Sequence, residues 1–325
     1  MNTKSTPDTP GMGSWLPGYL ALTLIWGASF LFIKVGISEL HPTYVTLGRA
    51  ATGALTVLGF LLITRGKLPR DLKTWGHLAV VGTVGVVIPF TLFGYGEQRI
   101  SSVLAGIWNA TTPLWVLPIS VLAFRNERFS FRKVVGLGLG FAGVLVVLGV
   151  WQGVGGSHLA GQLMIMGAAL CYGIAIPYLR RFLSDVPDGG TAVPAGMLLM
   201  ASLELAIVAP LVAGPPPGSV SWPVIGSVVA LGALGTGLAF ILNMRVIQIA
   251  GATTSASVTY LIPIVATVVG VVALGERISW YQPVGAAVVL LGVAVSQGLL
   301  KWPAARRRTA PVLAPEPVVA ADTAS

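Results

Sequence analysis

Cysteine and histidine are almost missing from this sequence. The single thiol, Cys171, excludes a disulfide framework and a thiolate metal cage. The three histidines (His41, His77 and His158) lie at or near the ends of apolar stretches, which argues against a buried histidine-cluster metal enzyme. Charge is scarce as well: 10% of residues are Asp, Glu, Lys or Arg, against about a quarter in a soluble globular chain. Acids are the rarer sign, 11 against 20 Lys plus Arg, so the formal charge is +9. What remains is apolar, 54% of the 325 residues, with 41 glycines and a mean hydropathy of +0.83. Most of this chain has no polar surface to show water, and composition alone reads as an all-α integral membrane protein.

About 20 mainly apolar residues carry a helix across the hydrocarbon core. Ten such stretches occur, at 17–36, 44–63, 76–95, 102–123, 133–151, 159–179, 192–213, 222–243, 253–274 and 281–300. Charged clusters separate some of them (Arg65, Lys67, Arg70, Asp71 and Lys73; Arg125, Glu127, Arg128, Arg132 and Lys133), and Gly214-Pro215-Pro216-Pro217-Gly218 cannot continue a helix. The runs are continuously apolar rather than alternating, which excludes a transmembrane β-barrel. The expectation is ten transmembrane helices between polar, disordered tails at 1–16 and 301–325, with the first span an uncleaved anchor. With alternate loops assigned to opposite sides, one set plus both tails holds 16 of the 20 cations, and the other only Arg99 and Arg277. That bias puts both termini in the cytoplasm. It also accounts for the basic balance as a topology signal rather than a nucleic-acid surface.

The sequence repeats itself. Glu127-Arg128-Phe129-Ser130 parallels Glu276-Arg277-Ile278-Ser279, each after an apolar span with a mid-helix proline, Pro113 or Pro263. Gly136 and Gly143 follow the first motif at the spacing with which Gly285 and Gly292 follow the second. Trp26-Gly27 followed by Lys34 parallels Tyr172-Gly173 followed by Arg180. Each copy, 17–151 and 152–300, then carries five spans. Five is odd, so the second copy enters the membrane from the other side: two inverted-topology five-helix repeats, an arrangement common among secondary transporters.

Leu24-Ile25-Trp26-Gly27-Ala28-Ser29-Phe30, Pro42 with Arg49 in the next helix, and the duplicated Glu-Arg loops resemble the EamA-type drug/metabolite transporter superfamily. The resemblance covers residues 17–300. It implies a ten-helix inner-membrane carrier of small metabolites, often amino acids or related amphipathic compounds, commonly moved outward. Cys171-Tyr172-Gly173 departs from the Trp-Gly signature in the second copy.

Glu204 falls near the middle of the span 192–213 and is the acid placed well inside a span. A carboxyl there faces the bundle interior or a wet cavity. It is either a proton-coupling or substrate-ammonium site, or a tie to a neighbouring helix. Arg49 lies inside the second span from its outer end and either snorkels or grips a substrate carboxylate as a planar fork. Lys34 is read as snorkelling. Trp108-Asn109-Ala110-Thr111-Thr112-Pro113 in the fourth span and Thr259-Tyr260-Leu261-Ile262-Pro263 in the ninth are paired, proline-interrupted polar segments, the pattern that points to a carrier's binding site. Trp26, Trp108, Asn109, Tyr172, Asn243 and Tyr260, with Arg49, are the expected lining of a central cavity. The glycines Gly136, Gly140, Gly143, Gly232 and Gly235 read as close-packing positions.

These features describe a secondary transporter for neutral, zwitterionic or amphipathic solutes, with amino-acid export as the type case. Its partners are the bilayer, the solute and protons as the candidate coupling ion. No Walker-type pattern suggests ATP, no cofactor or metal is expected, and the clustered ligands or acid/base pair of an intramembrane enzyme are missing from the spans. A passive channel or a membrane sensor is the alternative.

Overall fold

The computed structural model describes residues 12–124, 131–149, 151, 157–251, 254–255 and 258–297. The C-terminal tail, residues 1–11 and the loop carrying Glu127 lie outside the described residues. The described chain is helical, with no strand among the described residues. The helices are α1 (Leu16–Gly36), α2 (Pro42–Ile63), α3 (Leu72–Glu97), α4 (Ser102–Asn109), α5 (Thr112–Leu122), α6 (Phe131–Leu148), α7 (Ser157–Phe182), α8 (Gly189–Ala213), α9 (Trp222–Ala250), α10 (Val258–Leu274) and α11 (Tyr281–Gln297). Seven of the helices are long and apolar enough to cross a membrane, and α10 and α11 contribute shorter apolar segments. The expected fourth span is broken at Ala110-Thr111, with Pro113 in the first turn of α5, where its missing N–H costs nothing. Pro263 instead sits inside α10.

Large apolar side chains point outward as well as inward: Leu55 is 70% exposed, Ile207 66% and Val272 80%. A water-soluble bundle would hide these; a lipid-facing surface has no reason to. Helix starts are capped from the sequence. Asp71 accepts from the Thr74 N–H at 2.7 Å ahead of α3, and Ser101 from the Leu104 N–H at 3.1 Å ahead of α4.

The two copies exchange contacts. α6 and α11 touch backbone to backbone: a Cβ on Gly136 would meet the Gly292 carbonyl at 2.5 Å, and one on Gly143 the Gly285 carbonyl at 2.9 Å. Gly136 faces Gly292 while Gly143 faces Gly285, so the helices run antiparallel and each glycine meets the other's equivalent. Gly27 of α1 abuts Val265 of α10, and its counterpart Gly173 of α7 abuts Trp115 of α5. Likewise Gly82 of α3 presses on the α8 backbone at Met197, and Gly232 of α9 presses on the α2 backbone at Arg49. Small residues at each crossing are what let these backbones approach without a hydrophobic driving force in lipid.

A further feature occurs in both copies. α3 widens into a π-helical stretch at Thr83–Val87, and α9 does so at Ala233–Leu238. Each begins after the first glycine of a Gly-x-x-Gly pair and contains the second, Gly82/Gly85 and Gly232/Gly235, and precedes a phenylalanine, Phe90 or Phe240. π turns are rare and concentrate at functional sites.

Candidate functional site

Between the copies lies a cavity of about 360 Å³, within the size range of small-molecule sites. Its walls come in matched pairs. Trp26 of α1 answers Tyr172 of α7, Phe30 answers Ile176, Gly85 answers Gly235, Phe90 answers Phe240, and Asn109 of α4 answers Thr259 of α10. The cavity therefore sits on the axis that relates the two copies, where a helix-packing arrangement repeated about itself leaves a gap.

One pair breaks the match in charge. Arg49 of α2 lines the cavity, and its counterpart on α8 is Met197. Arg49 is 9% exposed. Its Nε donates to the Thr236 hydroxyl at 2.9 Å, and its guanidinium carbon lies 3.5 Å above the Phe90 ring. The side chain is thus held inward by the π stretch of the opposite copy and by a cation–π contact, rather than snorkelling. Among the described residues no Asp or Glu lines the cavity. The guanidinium's other N–H groups, five donors in a planar fork overall, supply a geometry suited to an anionic oxygen pair.

A model described as the EamA-like transporter family matches residues 13–149 and again 159–297. The chain belongs to that family. Each of the two matched segments takes in one copy, so the EamA-like repeat and the exchanged packing describe the same duplication. Relatives include the uncharacterized transporter YoaV of Bacillus subtilis (26% identical, covering 85% of this chain and 94% of YoaV) and the uncharacterized inner membrane transporter YedA of Escherichia coli K12 (26% identical, covering 91% of this chain and 93% of YedA). A protein crystal structure superposes with a TM-score of 0.63 at 23% identity, over 88% of this chain and 97% of the other, which shows a shared fold. This is a membrane transporter of the EamA-like family.

Of the residues expected to line the EamA-like cavity, Trp26, Arg49, Asn109, Tyr172 and Asn243 do so. Asn243 also receives the Ser255 hydroxyl on its Oδ1. Trp108 does not join them. It is 1% exposed and turns away, its indole Nε1 donating to Gln162 Oε1 at 3.0 Å, so it packs α4 against α7. The side chain of Tyr260 lies outside the described residues, although its neighbour Thr259 is in the wall. Glu204 stands off the cavity wall. Its Oε2 accepts the Thr83 hydroxyl at 2.7 Å, which ties α8 to the π stretch of α3.

Sequence reasoning does not single out Phe30, Phe90, Phe93, Phe240 or Met197 as lining the cavity. The doubled Gly-x-x-Gly…Phe pattern in the third helix of each copy was the available signal. Glu97, outside the cavity, is not anticipated either: the expected third span ends at residue 95 with Arg99 in the loop beyond, whereas α3 continues to Glu97, which is 0% exposed.

Proposed function

We propose that the protein is a secondary transporter whose two copies are inverted in the membrane as ten crossings with both termini cytoplasmic, and that it moves small amphipathic solutes bearing one carboxylate, amino acids among them, by alternating access around the central cavity. The observation that carries this reading is Arg49: one fixed cation, held by Thr236 and Phe90, in a wall otherwise made of uncharged aliphatic, aromatic, amide and hydroxyl groups. A guanidinium buried from water binds a carboxylate far more strongly than a surface one does. Trp26, Phe30 and Tyr172 offer flat apolar area to the rest of the solute, and Asn109, Asn243 and Thr259 give its neutral polar groups partners. The exchanged packing supports an inverted pair, in which rocking one copy against the other exposes the axis to each side in turn. YedA's name places that relative in an inner membrane, and the same location with outward transport is the proposed setting here. A coupling role for Glu204, proposed from its depth in α8, would act through Thr83 and the π stretch.

The test is counterflow in proteoliposomes loaded with unlabelled L-phenylalanine and diluted into the labelled compound. Wild-type protein exchanges label, and Arg49→Gln lowers the rate at least tenfold while inserting normally. An Arg49→Gln rate equal to wild type would remove the carboxylate reading, and exchange of L-phenylalaninamide as fast as of L-phenylalanine would do the same.

A further inference from the structure

A second carboxyl is buried outside the cavity, and nothing in the transport reading uses it. Glu97 closes α3, fully buried, and among the described residues neither of its carboxyl oxygens has a hydrogen-bond partner. Buried polar groups are almost always paired, so each exception asks for a reason.

The surroundings supply one. The charged groups within electrostatic reach are Lys34 on α1, Arg49 on α2 and Glu276 in the turn after α10. Lys34 spends its ammonium on main-chain carbonyls: its Nζ donates to the carbonyl of Glu97 and, at 2.9 Å, to that of Ile100. Arg49 is engaged by Thr236 and Phe90. Glu276 takes three donors, the Ser102 N–H at 2.8 Å, the Ser102 hydroxyl at 2.9 Å and the Val103 N–H at 3.0 Å, all at the start of α4. Gly275, at φ +64°, makes the left-handed turn that swings Glu276 back onto that helix start. On Glu97's own helix, Tyr95 pairs with His41 at 3.2 Å and Arg99 donates to the Tyr95 carbonyl at 3.3 Å. α7 brings Gly161 and Ile165 against the neighbouring Gly96.

The two acids have divided the work. Glu276 sits at a helix N-terminus with donors on both oxygens, the setting of a carboxylate. Glu97 sits at a helix C-terminus, where the macrodipole opposes negative charge, without a donor and beside another acid. An ionised carboxylate there would be a buried charge with no hydrogen-bond donor, facing Lys34 and Arg49 only at a distance while both are engaged elsewhere; the carboxylic acid carries no charge to offset.

We infer that Glu97 is a proton-binding site: it holds its proton while Lys34, Ile100 and Glu276 keep the outer ends of α1, α3, α4 and α10 closed over it, and yields that proton to water when those ends part. This rests on the transporter reading above. It would give the carrier a proton that moves only with the opening of one side.

The experiment uses the full chain reconstituted in phosphatidylethanolamine/phosphatidylglycerol vesicles, with two readouts. Infrared spectroscopy at neutral pH shows a protonated-carboxyl band that is lost in Glu97→Gln and shifted in frequency in Glu97→Asp; a band unchanged in both variants, or missing from wild type, overturns the proposal. Counterflow of labelled L-phenylalanine by wild type changes with the pH of the medium, and Glu97→Gln removes that dependence while its rate at a fixed neutral pH persists within about threefold. A pH dependence of counterflow that survives unchanged in Glu97→Gln also overturns it. Absence of counterflow in wild type counts against the transporter reading instead, and the infrared result still decides whether Glu97 carries a proton.

Discussion

The two halves of the cavity wall have the same shape and different chemistry. Gly85 and Gly235, Phe90 and Phe240, Trp26 and Tyr172 face one another as matched pairs, yet α2 places Arg49 where α8 places Met197. Shape follows from packing that both copies share: glycines at the crossings and a π stretch in the third helix. Charge follows from single side chains, which each copy is free to change. A cavity with one cation is therefore oriented: the carboxylate of the proposed solute would lie toward α2 and the π stretch of α9.

The comparison breaks most completely at the shared seam. Gly292→Leu would drive a side chain into the Gly140 N–H, which a Cβ alone would already meet at 2.4 Å; the expected result is loss of monodisperse protein after detergent extraction, and Gly136→Leu on the facing helix fails the same way. Gly138, with open space around its Cβ position, accepts alanine without loss. The next largest effect separates the unmatched pair: Arg49→Gln lowers counterflow at least tenfold, whereas Met197→Gln stays within about threefold. Equal losses would mean that position, not charge, matters. At the matched pair Asn109 and Thr259, alanine lowers transport several-fold in each copy with normal insertion. Trp108→Phe, which loses the indole bond to Gln162, costs about 1 kcal/mol of stability and leaves transport near wild type, as suits a residue beside the wall rather than in it.

The smallest effect lies at the rim. Glu39 in the turn between α1 and α2 accepts the Ser221 N–H at 2.7 Å, and hydrogen bonds from the Ser221 side chain and main chain hold its carboxyl below the ordinary range. The tie is complete above the pKa of the unfolded chain and fades as the pH falls through the lower native value. Glu39→Gln should remove that acid-side dependence of thermal unfolding and change little at neutral pH. At the opposite rim Asp188 accepts the Lys67 N–H at 3.1 Å.

Much of the architecture was legible in the sequence because lipid imposes a length and an apolar content on every crossing, and because the duplicated Glu-Arg-x-Ser and Trp-Gly/Tyr-Gly signatures mark equivalent points. Most of the observed helices start and stop close to the expected spans, but the fourth is broken at Ala110-Thr111 and α9 runs past the expected end at residue 243 to Ala250. The site was legible where a residue is chemically out of place in a membrane: Arg49, Asn109 and Asn243. It was not legible where membership depends on which way a side chain turns. Trp108 and Asn109 are adjacent, and a rotation of one residue about α4 puts the amide in the wall and the indole against Gln162. Phe90 and Phe240 carry no polar signal, and only their place after the π stretches brings them inward.

The glycine seam between α6 and α11 has a mechanical consequence. Among the described residues neither helix contributes to the cavity wall, and at Gly136, Gly143, Gly285 and Gly292 the facing backbone leaves no room for a methyl group. Such a join has no play in it. In the proposed alternating-access cycle the pair would serve as a keel about which the other helices tilt.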